Sequence, residues 1–174
     1  GINPACMSDV LPSTLAGLSH RAKRITVREV SDINHYASTA PEIMLDHIGF
    51  GKSPEDALAG GDFLESMTVY FSESITMICD HLGVQLERIE EHHRVATSKV
   101  RVVLENGRAT VPVTVGFRPI EWTGTVGGEP RILLSPFWQL TTHPDLPWHF
   151  EPTHAAERPV TLAGSPRFSP YRER

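Results

Sequence analysis

The clearest pattern along the chain is a stretch with apolar residues at helical spacing. One face of this stretch carries Phe63, Met67, Tyr70, Phe71, Ser74, Ile75, Ile78 and Leu82. Asp62 can cap the start of such a helix, and Gly83 suits the left-handed residue that commonly ends one. The pattern therefore predicts a long amphipathic helix from about Asp62 to Leu82.

A second helical pattern lies near the start of the chain. Ser8 or Asp9 can cap it, and Pro12 is tolerated in a first turn, where its missing N–H has no helical partner. The apolar face of this pattern consists of Leu11, Leu15, Leu18 and Ala22. We therefore predict a short helix whose apolar stripe packs on the rest of the domain.

Alternation with a period of two predicts strands. Residues 24–30, RITVREV, are rich in β-branched side chains, and the later candidates are LERIEEHHRVAT, KVRVVL, TVPVTVGF, IEWTGTV and RILLSPFWQL. Asn106 and Gly107 predict a hairpin, and VGGEP at residues 126–130 predicts another turn. Because no helical pattern separates these later strands, we predict an α+β fold, a mostly antiparallel sheet with helices packed on one face.

Two stretches lack a regular pattern. Residues 31–56 form a long connection broken by prolines and glycines, and such connections commonly bind a ligand or cover a site. The last 34 residues contain six prolines and leave room for one edge strand near residues 160–162. The predicted organisation is a domain over residues 1–140 followed by a proline-rich tail over residues 141–174.

Charge and composition narrow the classes of partner. The chain has 174 residues, enough for one domain, and a formal net charge of -5, which argues against nucleic acid or an anionic membrane surface. No apolar run approaches the ~18 residues that a membrane span needs. No signal peptide is visible, and Cys6 and Cys79 have no disulfide-type spacing, so we expect a cytoplasmic protein with reduced thiols.

The candidate polar clusters favour structural roles. The adjacent His92 and His93 would point to opposite faces of a strand, and the other histidines have no metal-ligand spacing, so we predict no metal site. The SES sequence at residues 72–74 has no nucleophile elbow, and we interpret it as a polar helix face. Glu87, Glu90 and Glu91 indicate a solvated strand face rather than a general acid/base pair. No glycine-rich nucleotide-binding motif is present.

Four short motifs together resemble a known family. They are the turn formed by Gly1, Asn3 and Pro4 before a helix, RITVREVSD, IGFG at residues 48–51, and SESITMICDHLG at residues 72–83. Over residues 1 to about 140 the chain resembles the C-terminal domain of 2,4-diaminopentanoate dehydrogenases and native amine dehydrogenases, a dihydrodipicolinate reductase-like group. The resemblance implies that this is the substrate and dimerisation domain of a Rossmann-type dehydrogenase. The nucleotide-binding domain, whose last strand leads into the Asn3–Pro4 turn, is absent from this chain.

The resemblance also implies a function and a site. We expect part of an NAD(P)H-dependent oxidoreductase that acts on an amine or imine carbon, with Asn3 and Pro4 at the cofactor and with Met7, Leu11 and Thr14 lining the substrate pocket. The acid/base carboxylate is expected on the absent domain, and the resemblance identifies no catalytic residue in this chain. NAD or NADP would bind the complete enzyme but not this chain alone, and the substrate would be a small amine or carbonyl compound.

Some features depart from the family or leave alternatives open. Ala5 replaces a common glycine, Ser72 replaces a proline, and the lysine-containing motif of true dihydrodipicolinate reductases is missing.

TVPVTVGF and RILLSPFWQL carry more apolar surface than one helix layer covers, which predicts a homodimer. The alternative function is a non-catalytic dimeric α+β module that binds an apolar small molecule or a protein. The sequence leaves the substrate and the choice between NADH and NADPH open.

Overall fold

The computed structural model describes residues 2–18, 22–34, 36–59, 61–140, 148–153 and 162–164. Its helices are α1 (Leu11–Gly17), α2 (Tyr36–Thr39), α3 (Pro54–Leu58) and α4 (Asp62–Leu82). Two further segments, Ile2–Val10 and Ile43–His47, are wider π-type helices, and the first of them contains non-helical backbone at Asn3, Pro4 and Ala5. The strands are β1 (Arg24–Asp32), β2 (Arg88–His93), β3 (Ala96–Ser98), β4 (Thr114–Val126), β5 (Glu129–Gln139), β6 (Trp148–Thr153) and β7 (Leu162–Gly164). None of the helices in these ranges is both long enough and apolar enough to cross a bilayer.

The strands form one seven-stranded mixed sheet. Their order is β2-β4-β5-β1-β6-β7, with β3 also paired to β4. β1 and β5, at the centre, are parallel, whereas the other pairs are antiparallel. The prediction of a mostly antiparallel sheet is therefore wrong, because the sheet is mixed. Alternation of side chains does not encode strand direction, and the parallel pair is joined by a long crossover that includes α4.

Helix α4 has the predicted bounds and organises the core. Its C-terminal residue is followed by Gly83 with φ 64°, as expected. The prediction that Asp62 caps the helix is wrong, because Gly61 occupies the cap position and no side chain caps the first turn. Asp62 lies in that first turn instead, where a negative charge interacts favourably with the helix dipole.

The contact between α4 and the sheet depends on one stacked pair and one glycine. The rings of Phe71 and Trp122 are stacked with centroids 4.3 Å apart. A Cβ on Gly124 would lie 2.6 Å from Cγ2 of Ile75, so only glycine lets the helix approach β4 this closely. The helix-covered face of the sheet is thus defined by alternate residues of β4 and their partners on β5 and β1.

The strands after α4 differ from the predictions in detail. TVPVTVGF and IEWTGTV are largely merged into β4, which begins at Thr114, and the turn at Gly127 and Gly128 leads into β5 as predicted. KVRVVL does not form a strand; a single bridge joins Val103 to Ala109 around the predicted turn. Its alternating residues Val102 and Leu104 are buried. The alternation of KVRVVL therefore reflects the burial of every second side chain. The backbone of this segment pairs only within its own hairpin and not with the sheet.

The proline-rich tail contributes two strands to the sheet. β6 pairs with β1, and β7, close to the predicted edge strand, pairs with β6. β6 was not predicted from the sequence, because Pro147 and Pro152 interrupt its pattern. The predicted boundary between residues 140 and 141 stays a prediction, and the rest of the tail lies outside the described residues.

The long connection after β1 folds over one end of the sheet. The guanidinium of Arg118, on β4, is fully buried and donates from Nη1 to the carbonyl oxygens of Ile48 (3.0 Å) and Ala57 (2.5 Å). Gly49 has φ 87°, and a Cβ there would lie 2.8 Å from that of Ala57. The first glycine of the IGFG motif is therefore explained by a tight turn at Gly49, and Arg118 holds this turn against the sheet through its hydrogen bond to Ile48.

Candidate functional site

The chain begins with a turn that is not helical. Asn3 and Pro4 have extended backbones and are joined by a cis peptide bond, and Ala5 has φ 134°. Helical backbone resumes after Ala5 and continues through α1, so the turn projects from the N-terminal end of a helix.

A buried polar network holds this turn on α4. Ser8 Oγ accepts a hydrogen bond from the Ala5 amide (2.9 Å) and lies 3.0 Å from Ser74 Oγ, which donates to Asp9 Oδ2 (2.9 Å). All three side chains are buried. The prediction that Ser8 or Asp9 caps α1 is wrong, because the cap position is Val10. Ser74 is buried, as its place in the apolar spacing of α4 predicted, so the interpretation of SES as a polar helix face is wrong for Ser74.

The contacts of the N-terminal segment fix the direction in which α1 packs on α4. Ser8 and Asp9 lie at Ser74, and a Cβ on Gly17 would lie 3.9 Å from His81 Nε2, so α1 runs in the same direction as α4. The helical residues that precede Ser8 therefore extend toward the end of α4 that contains Thr68. Thr68 contacts the sheet at Trp122 of β4, because its Oγ1 accepts a hydrogen bond from Trp122 Nε1 at 3.2 Å.

Four side chains among the described residues have buried polar atoms without hydrogen-bond partners. Among the described residues, the side-chain atoms that are buried and have no hydrogen-bond partner are Asn3 Oδ1, Glu29 Oε2, His93 Nδ1, and Nε and Nη2 of Arg118. Buried polar atoms are nearly always paired in proteins, so each exception needs a reason, such as a ligand or a bound water.

Strand register shows that three of these side chains share one region of the helix-covered face. Across the sheet, Glu29 lies opposite Pro136, His93 opposite Ile120, and Arg118 opposite Trp138. The pairs lie on the same face as Trp122 and Leu134, because side chains alternate along a strand. Glu29 and His93 therefore lie on one row across the strands, and Arg118 lies two residues along β4 from that row. The long connection covers Arg118 at this level.

The carboxylate of Glu29 is the negative group in this region that faces inward from β1. Ser31 Oγ donates to Glu29 Oε1 at 2.5 Å, whereas Oε2 has no partner. Burial raises the pKa of Glu29 above its ordinary value, and the hydrogen bond from Ser31 opposes this only in part. The inward position could have been recognised from the sequence, since Glu29 follows Ile25 and Val27 in the alternating pattern.

A second network connects β2 to α4. His93 Nε2 contacts Glu91 Oε1, and Glu91 Oε2 accepts from Thr68 Oγ1 at 2.6 Å. Burial lowers the pKa of His93; Glu91 raises it, and Arg118 lowers it further. Glu87 and Glu90 are exposed, as predicted, but Glu91 is half-buried and paired, so the prediction of a wholly solvated carboxylate cluster is wrong for Glu91.

The pocket residues inferred from the resemblance are placed along the first helix. Met7 and Leu11 are half-buried, and Thr14 is exposed, with its Oγ1 donating to the Val10 carbonyl at 2.8 Å. Their assignment as pocket residues stays a prediction. Within the described ranges, no group of three or more His, Cys, Asp or Glu side chains is arranged to hold a metal ion.

Replacing Glu29 with glutamine should stabilise the protein at neutral pH. A carboxyl whose folded pKa is raised favours folding below its unfolded pKa, and this contribution is lost as the pH rises through the folded pKa. Each unit between the two pKa values is equivalent to about 1.4 kcal/mol. The Tm of Glu29→Gln should exceed that of the unmodified protein at pH 7.5, and the difference should shrink toward pH 4.5.

The exposed Glu129 on β5 provides the matched control, since Glu129→Gln should leave the pH profile of Tm unchanged. A variant Glu29→Gln that is less stable than the parent protein at pH 7.5 would contradict the burial of an uncompensated carboxylate.

Replacing Ala5 with glycine should raise the free energy of unfolding by about 0.5–1 kcal/mol. Alanine at φ 134° is strained by about 1–2 kcal/mol, and the greater freedom of glycine in the unfolded chain offsets part of the gain. Urea titration provides the measurement. Ala16→Gly in α1 is the control and should destabilise, because Ala16 has a helical backbone and is buried. A lower stability for Ala5→Gly would show that the turn tolerates alanine without strain.

Comparisons with known proteins agree with this architecture. The structure is similar to that of an amine dehydrogenase from Mycobacterium smegmatis, with a TM-score of 0.69 and 12% sequence identity. The match covers 91% of this chain and 46% of that chain, so this sequence spans less than half the length of that enzyme. At this identity the likeness shows the fold alone. No curated protein matches the sequence.

The family is shown by a match that covers most of the chain. Residues 6–146 match the family model of the 2,4-diaminopentanoate dehydrogenase C-terminal domain. The matched region begins after the Asn3–Pro4 turn and includes the buried Ser8–Asp9–Ser74 network, α4 and the strands through β5. This chain therefore belongs to the family of 2,4-diaminopentanoate dehydrogenase C-terminal domains, a dehydrogenase-type oxidoreductase family.

Proposed function

We propose that this chain is the substrate-binding portion of a nicotinamide-dependent oxidoreductase that interconverts an amine and an imine or carbonyl compound. The observation that carries the proposal is the Asn3 turn, where Oδ1 of Asn3 is buried and has no partner among the described residues. Family membership supports the dehydrogenase class, and the similarity of the fold to an amine dehydrogenase supports the amine substrate.

The residues of the turn fit one end of a nicotinamide. A carboxamide offers N–H donors, and the free Asn3 Oδ1 is an acceptor that can receive one of them. When bound, the nicotinamide would supply hydride transfer to or from the substrate carbon. This chain's contribution is to position the reactants and to exclude water, which the Ser8–Asp9–Ser74 network supports by holding the turn rigidly on α4.

The nucleotide-binding domain is proposed to be supplied by sequence outside this chain. No glycine-rich strand-to-helix turn occurs in these 174 residues to bind a pyrophosphate. The likeness to less than half of a solved amine dehydrogenase is consistent with this division. The catalytic acid/base group is proposed to lie on that domain, and the choice between NAD and NADP depends on it.

We also propose that the enzyme is a homodimer formed through the sheet face opposite the helices. Phe117 and Phe137 lie on that face and contact each other with ring centroids 6.2 Å apart, yet each is only half-buried. Neighbouring aromatic side chains that remain partly exposed are typical of surfaces that pair with another subunit.

Asn3→Ala should lower kcat/KM of the full-length enzyme by about tenfold or more, equivalent to a lost hydrogen bond of about 1.4 kcal/mol. The Tm should change little, because Asn3 Oδ1 makes no hydrogen bond within the described structure. Steady-state kinetics of amine oxidation, with NAD⁺ and with NADP⁺, and thermal unfolding are measured on the same preparations.

The control is Asn106→Ala, since Asn106 Nδ2 donates to the Ala37 carbonyl at 2.7 Å in a hairpin away from the turn. That variant should lose stability and keep its kcat/KM. A large drop in Tm for Asn3→Ala with unchanged kinetics would contradict the role in binding, and a full-length protein that oxidises no amine would favour the non-catalytic binding module.

A further inference from the structure

We propose that Asn106 is a site of spontaneous deamidation, and that its conversion to aspartate or isoaspartate releases the hairpin of residues 102–110 from helix α2. The inference comes from a reactive dipeptide, Asn106 and Gly107, which the fold exposes at the tip of this hairpin while its side-chain amide binds the carbonyl of the buried Ala37. The reaction needs only water, and the proposal does not depend on the proposed function.

Asn106 is the asparagine whose following residue most readily permits the reaction. Deamidation begins when the backbone nitrogen of the next residue attacks the side-chain Cγ. The chain has three asparagines, and Asn3 is followed by a proline, which has no N–H. Asn34 is followed by a histidine, whose side chain hinders the attack. Asn106 is followed by Gly107, which has no Cβ to hinder it.

The tip of the hairpin leaves this dipeptide accessible to water. Asn106 and Gly107 are both exposed, and a Cβ at Gly107, where φ is 80°, would point into open space. The Gly107 N–H donates to the Leu104 carbonyl (2.9 Å), and this bond must break before the nitrogen can attack. The hairpin pairs through an isolated bridge between Val103 and Ala109, so opening its tip requires little free energy.

A backbone donor activates the side-chain amide. The Arg108 N–H donates to Asn106 Oδ1 at 3.0 Å. Negative charge develops on this oxygen when the nitrogen of Gly107 attacks Cγ, and a donor held at that atom stabilises the transition state. The turn therefore supplies an oxyanion-binding group for its own modification.

The reaction is a hydrolysis in two steps. In the first, a bond forms between Gly107 N and Asn106 Cγ, the bond from Cγ to Nδ2 breaks, and ammonia leaves with the proton of the Gly107 nitrogen. In the second, water adds to one of the two carbonyl carbons of the resulting succinimide, and the bond from that carbon to nitrogen breaks. The product is aspartate or isoaspartate, with no change of oxidation state.

Neither product can keep the contact with α2. A carboxylate has no N–H, so the 2.7 Å bond from Nδ2 of Asn106 to the Ala37 carbonyl is lost and two acceptors face each other. The new negative charge also lies next to Glu105 in the sequence. The other side-chain bonds from the hairpin to this part of the chain, made with Asn34 and Ser38, are longer, at 3.3, 3.4 and 3.5 Å. Deamidation should therefore loosen the hairpin.

The test is incubation of the full-length protein at pH 6 and at pH 8, followed by digestion and mass spectrometry of the peptide that contains residue 106. We expect aspartate and isoaspartate at Asn106, formed about tenfold faster or more at pH 8, because the attacking nitrogen must lose its proton. Asn34 is the internal control and should stay intact. Gly107→Ala should slow the reaction by about tenfold or more, in the folded protein and in urea alike, because its Cβ hinders the attack.

Hydrogen exchange of the aged protein tests the release of the hairpin. The amides of Leu104 and Thr110, which donate to the carbonyls of Arg108 and Val102, should exchange about tenfold faster after deamidation, equivalent to one lost hydrogen bond of about 1.4 kcal/mol. Asn106→Asp should show the same change from the start. The proposal would be overturned if the folded protein formed no product at Asn106 under conditions that fully deamidate it in urea, or if the product formed without faster exchange at Leu104 and Thr110.

Discussion

Arg118→Ala should lower the free energy of unfolding by about 3–5 kcal/mol, a large fraction of the stability of a typical domain. The guanidinium is fully buried, and its Nη1 donates to the carbonyls of Ile48 and Ala57. Removing it leaves both carbonyls buried without a donor, at about 1–3 kcal/mol each, and adds a cavity. Relief of the burial that lowers the pKa of Arg118 offsets only part of this loss.

Urea unfolding measures the effect, and hydrogen exchange locates it. The amides of residues 48–58 should lose protection first, because Arg118 bonds the carbonyls at both ends of this segment. Arg108→Ala is the matched control: Arg108 is exposed, and its removal should change stability by no more than about 0.5 kcal/mol. An unchanged urea midpoint for Arg118→Ala would show that the long connection does not depend on this anchor.

Trp122→Ala should destabilise the domain by about 3–5 kcal/mol. The indole is completely buried, stacks on Phe71 and donates from Nε1 to Thr68 Oγ1. Its loss removes the main aromatic contact between α4 and β4 and leaves a cavity that the surrounding strands cannot fill. Chemical unfolding followed by far-UV circular dichroism is the measurement.

Trp122→Phe separates packing from hydrogen bonding. Phenylalanine retains an aromatic ring against Phe71 and loses the bond to Thr68, so we expect about 1–2 kcal/mol of destabilisation. Tyr70→Ala, on the exposed side of α4, should have a much smaller effect. If Trp122→Ala and Tyr70→Ala destabilised the protein equally, the stacked pair would not be central to the core.

The sequence was sufficient to predict those helices and turns that depend on residues within one short stretch of chain. Helix α4 has the predicted bounds, because 21 residues of helical periodicity end at a glycine that accepts φ 64°. The turn at Gly127 and Gly128 is present for the same reason. Pro12 lies in the first turn of α1, as predicted.

The polar residues of the candidate site were harder to recognise from the sequence, because their burial depends on which distant segments pack against them. Ser74 lies in the apolar spacing of α4, but its sequence gives no indication that its hydroxyl bonds Ser8 and Asp9 of the N-terminal segment. Arg118 and His93 lie in strand patterns that a solvated face would also fit. Glu29 continues the inward series of Ile25 and Val27, so its alternation could have indicated a carboxylate directed into the core, but the sequence analysis did not single it out.

By itself, the sequence determined the family motifs, the long helix, the turns and the presence of several strands, since each depends on contacts or backbone preferences within a short stretch. Only the tertiary structure decided that β1 and β5 are parallel, that KVRVVL lies outside the sheet, and that Ser8, Asp9 and Ser74 form one network. Those outcomes depend on which segments, distant in the sequence, pack together and bury each other's surfaces. Neither the periodicity of a segment nor its composition specifies its neighbour, so the buried unpaired atoms of Asn3, Glu29, His93 and Arg118 emerge only when the chain is folded.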